Sequence, residues 1–376
     1  MTYSPRTYRI TVSTLFFMAG LCFASWASRI ATIQEKLGLN EAELGGVLLA
    51  LPVGLMLSLP ISGWAVSKIG SRKVLAASLA LYGTTLVFLG LVDSVSVLVL
   101  CLVFFGMASN AVNISVNTQA VATETLYPKP IMASFHGLWS LAGFVGAGIG
   151  TFMIGNNVET VTHFLIIGGI VLVAVGICWG FLHDDTGKSE PGPAFVKPDK
   201  FLITLGAIAF CSMIIEGAMF DWSTIYFKKV VMAEKGWIGA GYTAGMCAMA
   251  SGRFVADWFS HKFGLKTTLQ TSGILSFLGC VTVVVFPTLI PALLGFLLIG
   301  AGISSVVPMI YSVAGKSTTM KPGPAIAAVS TISFAGFLIG PPMIGFIGEL
   351  FSLKISFLFL ATMAICVVFF TTRAKI

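Results

Sequence analysis

Two carboxylic acids stand inside a segment that would otherwise carry no charge. Glu216 follows the run Ile208-Ala209-Phe210-Cys211-Ser212-Met213-Ile214-Ile215, and Asp221 lies nearer the outer end of the same segment. An ionisable group in a lipid-spanning segment is costly, so each acid is a candidate for function. A carboxyl group in a low-dielectric cavity can bind and release a proton near neutral pH, which makes Glu216 the first candidate proton carrier. Residues five apart on a helix are separated by about 140°, so the two acids do not share a face. A structural carboxylate hydrogen-bonded across helices is the plainer reading of either. It is preferred for Asp221, with Arg29 as its expected partner in an outer gate or anchor.

Asn110, Asn113 and Asn117 recur at i, i+3 and i+7 in another apolar segment, with Gln119 nearby. That spacing sets the three amides on one helical face. A polar stripe of this kind faces protein or water, never lipid. Amides donate and accept hydrogen bonds, which suits hydroxyl-rich solutes. The competing account is interhelical bonding, at about 0.6 kcal/mol per bond. His136, followed by Trp139 and Ser140, opens the next segment. Imidazole titrates near about pH 6.5, which suits a proton relay or a solute contact, and a packing role is equally open. Trp26, Trp139 and Trp222 are candidate stacking platforms, while Trp64 and Trp258, beside basic loops, read as interface anchors. Ser304 and Tyr311 are candidate solute contacts in a later segment that also carries Ser305, Pro308 and Ser312.

The elements that must position these groups are membrane helices. Of 376 residues, 56% are hydrophobic and 10% are charged. A soluble domain carries about 25% charged residues. Twelve apolar blocks are long enough to span lipid as helices: 8–28, 43–67, 74–92, 97–121, 131–155, 160–182, 200–222, 236–258, 267–287, 289–312, 324–347 and 355–372. None alternates as a barrel strand would. The predicted fold class is therefore all-α integral membrane. The first block has basic residues before it but no clear small-x-small cleavage site, so it is expected to stay as a helix.

The net charge of +7 reflects topology rather than nucleic-acid binding. With the N-terminus cytoplasmic, fifteen Lys and Arg fall inside and six outside, leaving Arg253 within a block. This bias follows the positive-inside rule and puts both termini in the cytoplasm. The seven cysteines are scattered singly and read as packing residues. Gly187-Lys188-Ser189 resembles the end of a phosphate-binding loop, but the required earlier glycine is Leu182 and no strand precedes it. No cofactor is expected, and uphill transport would draw on an ion gradient. Four dispersed histidines argue against a metalloenzyme, no segment is long enough for a soluble output domain, and no filter-like loop marks a channel.

The second half repeats the plan of the first at an offset of about 194 residues. Pro128-Lys129-Pro130 aligns with Pro322-Gly323-Pro324, Gly106 with Gly300, and Gly63-Trp64 through Arg72 with Asp257-Trp258 through Lys266. The expected organisation is an N-terminal half at 1–182, a cytoplasmic linker at 183–199 and a C-terminal half at 200–376. Many transporters are duplicated in this way, with the solute site at the repeat interface.

The loop Ser67-Lys68-Ile69-Gly70-Ser71-Arg72-Lys73 resembles the signature loop of the major facilitator superfamily, and His261 through Lys266 repeats it. Lys68, Arg72, Arg253 and Asp257 are the gating and inner-loop candidates. The family's usual loop aspartate is Ser67 here, so that loop lacks its acid; in the second half Asp257, with Arg253 one turn before it, is the expected partner. Within the superfamily the chain looks like the YbjJ-like, fucose-permease-like bacterial branch. Ala24-Ser25-Trp26-Ala27-Ser28-Arg29, His136-Gly137-Leu138-Trp139-Ser140-Leu141, Gly252-Arg253-Phe254 and Gly340-Pro341-Pro342 carry that likeness. The resemblance implies a two-half bundle with a central cavity lined by spans one, four, seven and ten, working by alternating access. It implies a carboxylate where Asn113 stands, which leaves coupling resting on Glu216. The expected partners are a small polar solute, a sugar or sugar derivative, with a proton, in a lipid bilayer; a monomer suffices. Export or uniport of a metabolite or drug is the alternative within transport.

Overall fold

The computed structural model describes residues 3–128, 131–184, 198–314, 317, 319, 320 and 322–374. Among them there are only helices, turns and connections. In chain order the helices are α1 (Pro5–Leu37), α2 (Glu41–Leu48), α3 (Ala50–Ile69), α4 (Ser71–Leu91), α5 (Val95–Glu124), α6 (Met132–Gly155) and α7 (Thr160–Cys178). They continue as α8 (Lys200–Lys229), α9 (Ala240–Phe263), α10 (Leu265–Val285), α11 (Leu289–Ile303), α12 (Val306–Ala314), α13 (Pro322–Leu350) and α14 (Leu353–Arg373). Ser4, Ser94, Asp199 and Ser352 cap the starts of α1, α5, α8 and α14, each side-chain oxygen accepting a first-turn backbone N–H.

Every expected apolar block is helical, with two refinements. Block two divides into α2 and α3 and block ten into α11 and α12. Pro52 and Pro308 stand just past these breaks, where each removes a helical donor and crowds the carbonyl four residues back. Taking each divided block as one span, eleven helices among the described residues are long and apolar enough to cross a membrane. Block eight, α9, is 24 residues long but carries Arg253, Asp257, His261 and Lys262, which leave it too polar to count by composition.

The chain forms two compact units. One is Met1–Gly38 with Val47–Ser189, and the other is Leu39–Gly46 with Glu190–Ile376. In the first, α1 packs on α6 and α7, α5 on α3 and α4, and α4 on α7. In the second, α8 packs on α13 and α14, α11 on α9 and α10, and α10 on α14. The two lists are the same list shifted by one repeat.

The repeat extends to single atoms. Gly70 (φ 88°) and Gly264 (φ 84°) each end one helix and start the next in a left-handed region that favours glycine. A methyl group at Gly106 would overlap the Leu51 carbonyl, and one at Gly300 would overlap the Gly245 carbonyl. Both the contacting residues and their partners are 194 positions apart. These glycines bring α5 against α3, and α11 against α9, backbone to backbone.

Burial differs sharply between helices. In α1 and α8, 67% and 72% of the apolar stretch is buried, against 28% in α7. Leu165, Ile170, Val173 and Ile177 of α7 lie on the surface, where an apolar helix face without protein cover meets lipid.

Candidate functional site

Helix α8 is enclosed on every side from Cys211 to Phe227. Glu216 sits in the middle of that stretch, and Arg253 of the neighbouring α9 brings a guanidinium nitrogen to 3.6 Å from its carboxylate. The side chains are 11% and 24% accessible, so the pair is sheltered but not sealed. Gly252, beside Arg253, lets α9 lie close against the end of α11: a methyl group there would run into the Ser304 side chain. Ser304 is buried and donates to the Ala301 carbonyl at 2.7 Å, which ties it to its own helix. Tyr311 of α12 hydrogen-bonds with Ser330 and Ser333 of α13 and lies within electrostatic reach of Glu216. Thus Glu216, Arg253 and Tyr311 come together, and Ser304 supports the helix beside them.

Arg253 reaches across to Glu216, a partner that one-turn spacing does not announce. The expected pairing of Arg253 with Asp257 falls on a side chain outside the described residues.

Asp221 is buried and has no ion-pair partner among the described residues; Tyr242 of α9 lies within its electrostatic reach, with its own hydroxyl unpartnered. Arg29, expected to pair with Asp221, is instead held inside the first unit. It donates through Nε to His163 Nδ1 at 3.2 Å and through a terminal nitrogen to the Val158 carbonyl at 2.9 Å. An arginine buried to 3% exposure needs such acceptors, and the end of α7 supplies them.

The asparagine stripe on α5 divides in two. Asn117 Nδ2 donates to the carbonyl and the side-chain oxygen of Asn113, at 2.8 and 2.7 Å. Asn113 is exposed and Asn117 half-buried, so this amide pair is reachable. Asn110 is buried, and its Nδ2 has no partner among the described residues. Gln119 is structural: it bonds Ser71 Oγ at 2.7 Å and exchanges two bonds with the His183 backbone.

On α6, His136 is exposed and edge-on to Phe16 at 5.3 Å. Ser140 is buried and donates to the His136 carbonyl, and Trp139 is half-buried beside Phe23. Trp26 and Trp222 are fully enclosed, with their indole N–H groups unpartnered among the described residues, so neither offers the open stacking face expected of it. Trp64 and Trp258 are 61% and 58% exposed, as interface anchors are.

The inner-loop cations fasten each unit to itself. Lys68 is exposed. Arg72 donates to the Trp179 carbonyl at 3.1 Å, stacks 4.9 Å from its ring and lies 3.8 Å from Asp184. Its repeat counterpart Lys266 donates to the Thr372 carbonyl at 2.9 Å. Both cations hold the loop to the end of the last helix of their unit.

Comparison with known proteins decides the family. The model for the major facilitator superfamily matches residues 12–322 and 236–375. The chain belongs to the major facilitator superfamily. It is similar to an uncharacterized MFS-type transporter of Yersinia pestis, 31% identical over 349 residues, 93% of this chain and 91% of that one. It is also similar to the membrane protein MosC of Rhizobium meliloti, 31% identical over 360 residues, 95% and 87% of the two chains. Among solved structures, the nucleoside transporter NupG shares the fold at TM-score 0.79 and 11% identity, covering 98% of this chain and 100% of that one. As a superfamily member the protein is a membrane transporter.

Two groups escaped the sequence reading. His163 is an ionisable side chain in an apolar helix, and the cost that singled out Glu216 applies to it equally. Glu41 pairs with Lys229 at 2.7 Å and its backbone N–H reaches Glu349 at 3.2 Å. No local spacing announces that triad.

Proposed function

We propose that the protein is a secondary active transporter of the fucose-permease-like branch. It moves a small polar solute, a sugar or sugar derivative, across a bacterial inner membrane by alternating access, with a proton in symport and both termini cytoplasmic. The observation that carries this reading is the sheltered Glu216–Arg253 pair, 3.6 Å apart. With Glu216 ionised, the charges compensate each other; with Glu216 protonated, Arg253 loses that counter-charge, and a solute bearing hydroxyl or carboxylate oxygens can pair with it. Proton uptake and solute capture are then two steps of one charge balance. The reachable amide pair Asn113–Asn117 offers donors and acceptors matched to hydroxyls. His136 and Trp139 in the first unit and Tyr311 in the second are further proposed solute contacts, and Asp221 is a second proposed proton-binding group.

The test is electrical. Wild type and Glu216→Gln are reconstituted in liposomes on a solid-supported membrane and jumped through sugars, sugar acids, nucleosides and amino acids. The expected result is a sustained, pH-dependent current for one solute class, absent in the variant. Tracer exchange without such a current in the wild type would replace symport with uniport, electroneutral exchange or export.

A further inference from the structure

We propose that the N-terminal end of α1 is a binding site for an anionic phospholipid, its phosphate held by Arg6 and Arg9 and its two acyl chains lying in the grooves on either side of Ile10 and Thr14. The first groove, about 740 Å³, runs along α1 beside α6, with Arg6 and Arg9 at its mouth and Phe17, Met18 and Leu138 along its walls. The second, about 470 Å³, runs between α1 and α7, walled by Ile170, Val173 and Ile177. Ile10 and Thr14 border both, so the grooves flank one ridge. Ile10 is 57% exposed and Ile177 65%, which places this ridge on an uncovered apolar face where lipid is the solvent.

The mouth of the site is positively charged and set in place. Arg9 lies 5.4 Å from the Tyr127 ring and 3.5 Å from Ser134 Oγ. Arg6 stands one turn earlier on the same helix, exposed. Neither arginine has an ion-pair partner among the described residues. The nearby acid Glu124 accepts the Ile131 N–H at 2.7 Å. Guanidinium groups grip phosphate through paired hydrogen bonds. Basic pockets between membrane helices on the cytoplasmic side, where the charge bias puts this end, recruit anionic headgroups. The headgroup level is marked independently by aromatics: Tyr3 packs on Phe181 at 5.0 Å, and Tyr8 stacks on His183 at 3.7 Å. The long apolar walls distinguish a lipid from a soluble phosphate, which would need a polar cup instead.

The experiment is native mass spectrometry of the full chain released from nanodiscs of equal phosphatidylglycerol and phosphatidylcholine. Wild type is expected to retain phosphatidylglycerol preferentially. Arg6→Gln/Arg9→Gln is expected to lose that preference by roughly 30-fold, the weight of two cations at about 1 kcal/mol each. Arg6→Lys/Arg9→Lys keeps the charge but not the paired hydrogen bonds and should keep part of the preference, more than the glutamine variant does, which separates lost binding from lost folding. Ala174→Trp, which fills the second groove without touching charge, should lower retention of both variants of the headgroup. Equal retention of the two lipids by wild type, unchanged preference in the glutamine variant, or displacement of the lipid by millimolar glycerol phosphate would overturn the assignment.

Discussion

Arg253 of α9 lies 3.6 Å from Glu216 of α8, an ion pair assembled across two helices inside one unit. Removing one member strands the other. Arg253→Met is expected to destabilise the protein by about 3 kcal/mol, with Glu216→Gln/Arg253→Met recovering much of that loss, since a buried charge without its partner costs more than the pair is worth. Thermal unfolding in detergent reads this directly. Recovery that fails to appear would mean that Arg253 acts through other contacts.

Transport should separate the same two residues. Glu216→Gln keeps the shape of the acid but carries no titratable proton. It is expected to abolish uphill accumulation while leaving solute exchange within a few-fold of wild type. Loss of exchange and accumulation together would assign Glu216 to the scaffold.

The amide pair on α5 should set solute affinity. Asn113→Ala and Asn117→Ala are each expected to weaken half-saturation roughly fivefold, about 1 kcal/mol for a lost hydrogen bond, with little change in folding stability. An unchanged affinity in both would take the pair out of the site.

The repeat-related glycines should be intolerant in both units. Gly106→Ala and Gly300→Ala each drive a methyl group into a backbone carbonyl, and overpacking of this kind costs about 1–3 kcal/mol. Gly169→Ala, where nothing lies within 4 Å, is the control expected to be neutral. Equal melting temperatures for all three would contradict the close helix approach.

Asp199 provides the pH test. Its carboxylate accepts the Leu202 N–H at 2.8 Å and the Thr319 hydroxyl at 2.6 Å, and these bonds hold it below the ordinary aspartate range. A lowered folded-state value stabilises the fold above the unfolded value of about 3.9 and stops doing so as pH falls through the folded value. The melting-temperature advantage of wild type over Asp199→Ala should therefore be full at neutral pH and shrink below about pH 4. A constant difference across that range would remove the charge from the argument.

Much of the fold was legible because its causes are local. Apolar runs long enough to span lipid become helices, and the Gly106–Gly300 and Gly70–Gly264 correspondences appear in the bare sequence as well as in the backbone. The breaks at Pro52 and Pro308 were visible too, as prolines inside apolar runs, although the blocks were read through them. What sequence could not supply was partnership across helices. Arg253 meets Glu216 through the packing of α9 on α8, which no local spacing announces. Arg29 likewise bonds His163, far along the chain. The amide stripe was correct as a helical face, yet burial divided it, because a face some turns long can be covered at one end and open at the other.

Where Gly106 meets Leu51 and Gly300 meets Gly245, no side chain stands between the helices. Two backbones in direct contact leave no room for a bulkier residue, so the register of α3 on α5 and of α9 on α11 is fixed by the absence of a side chain. Asn113 and Asn117 ride on the first pair, and Arg253 belongs to the second. Gly20 against the Trp139 carbonyl and Gly336 against the Phe210 carbonyl repeat the arrangement between α1 and α6 and between α8 and α13, so the seam is a device used throughout both units.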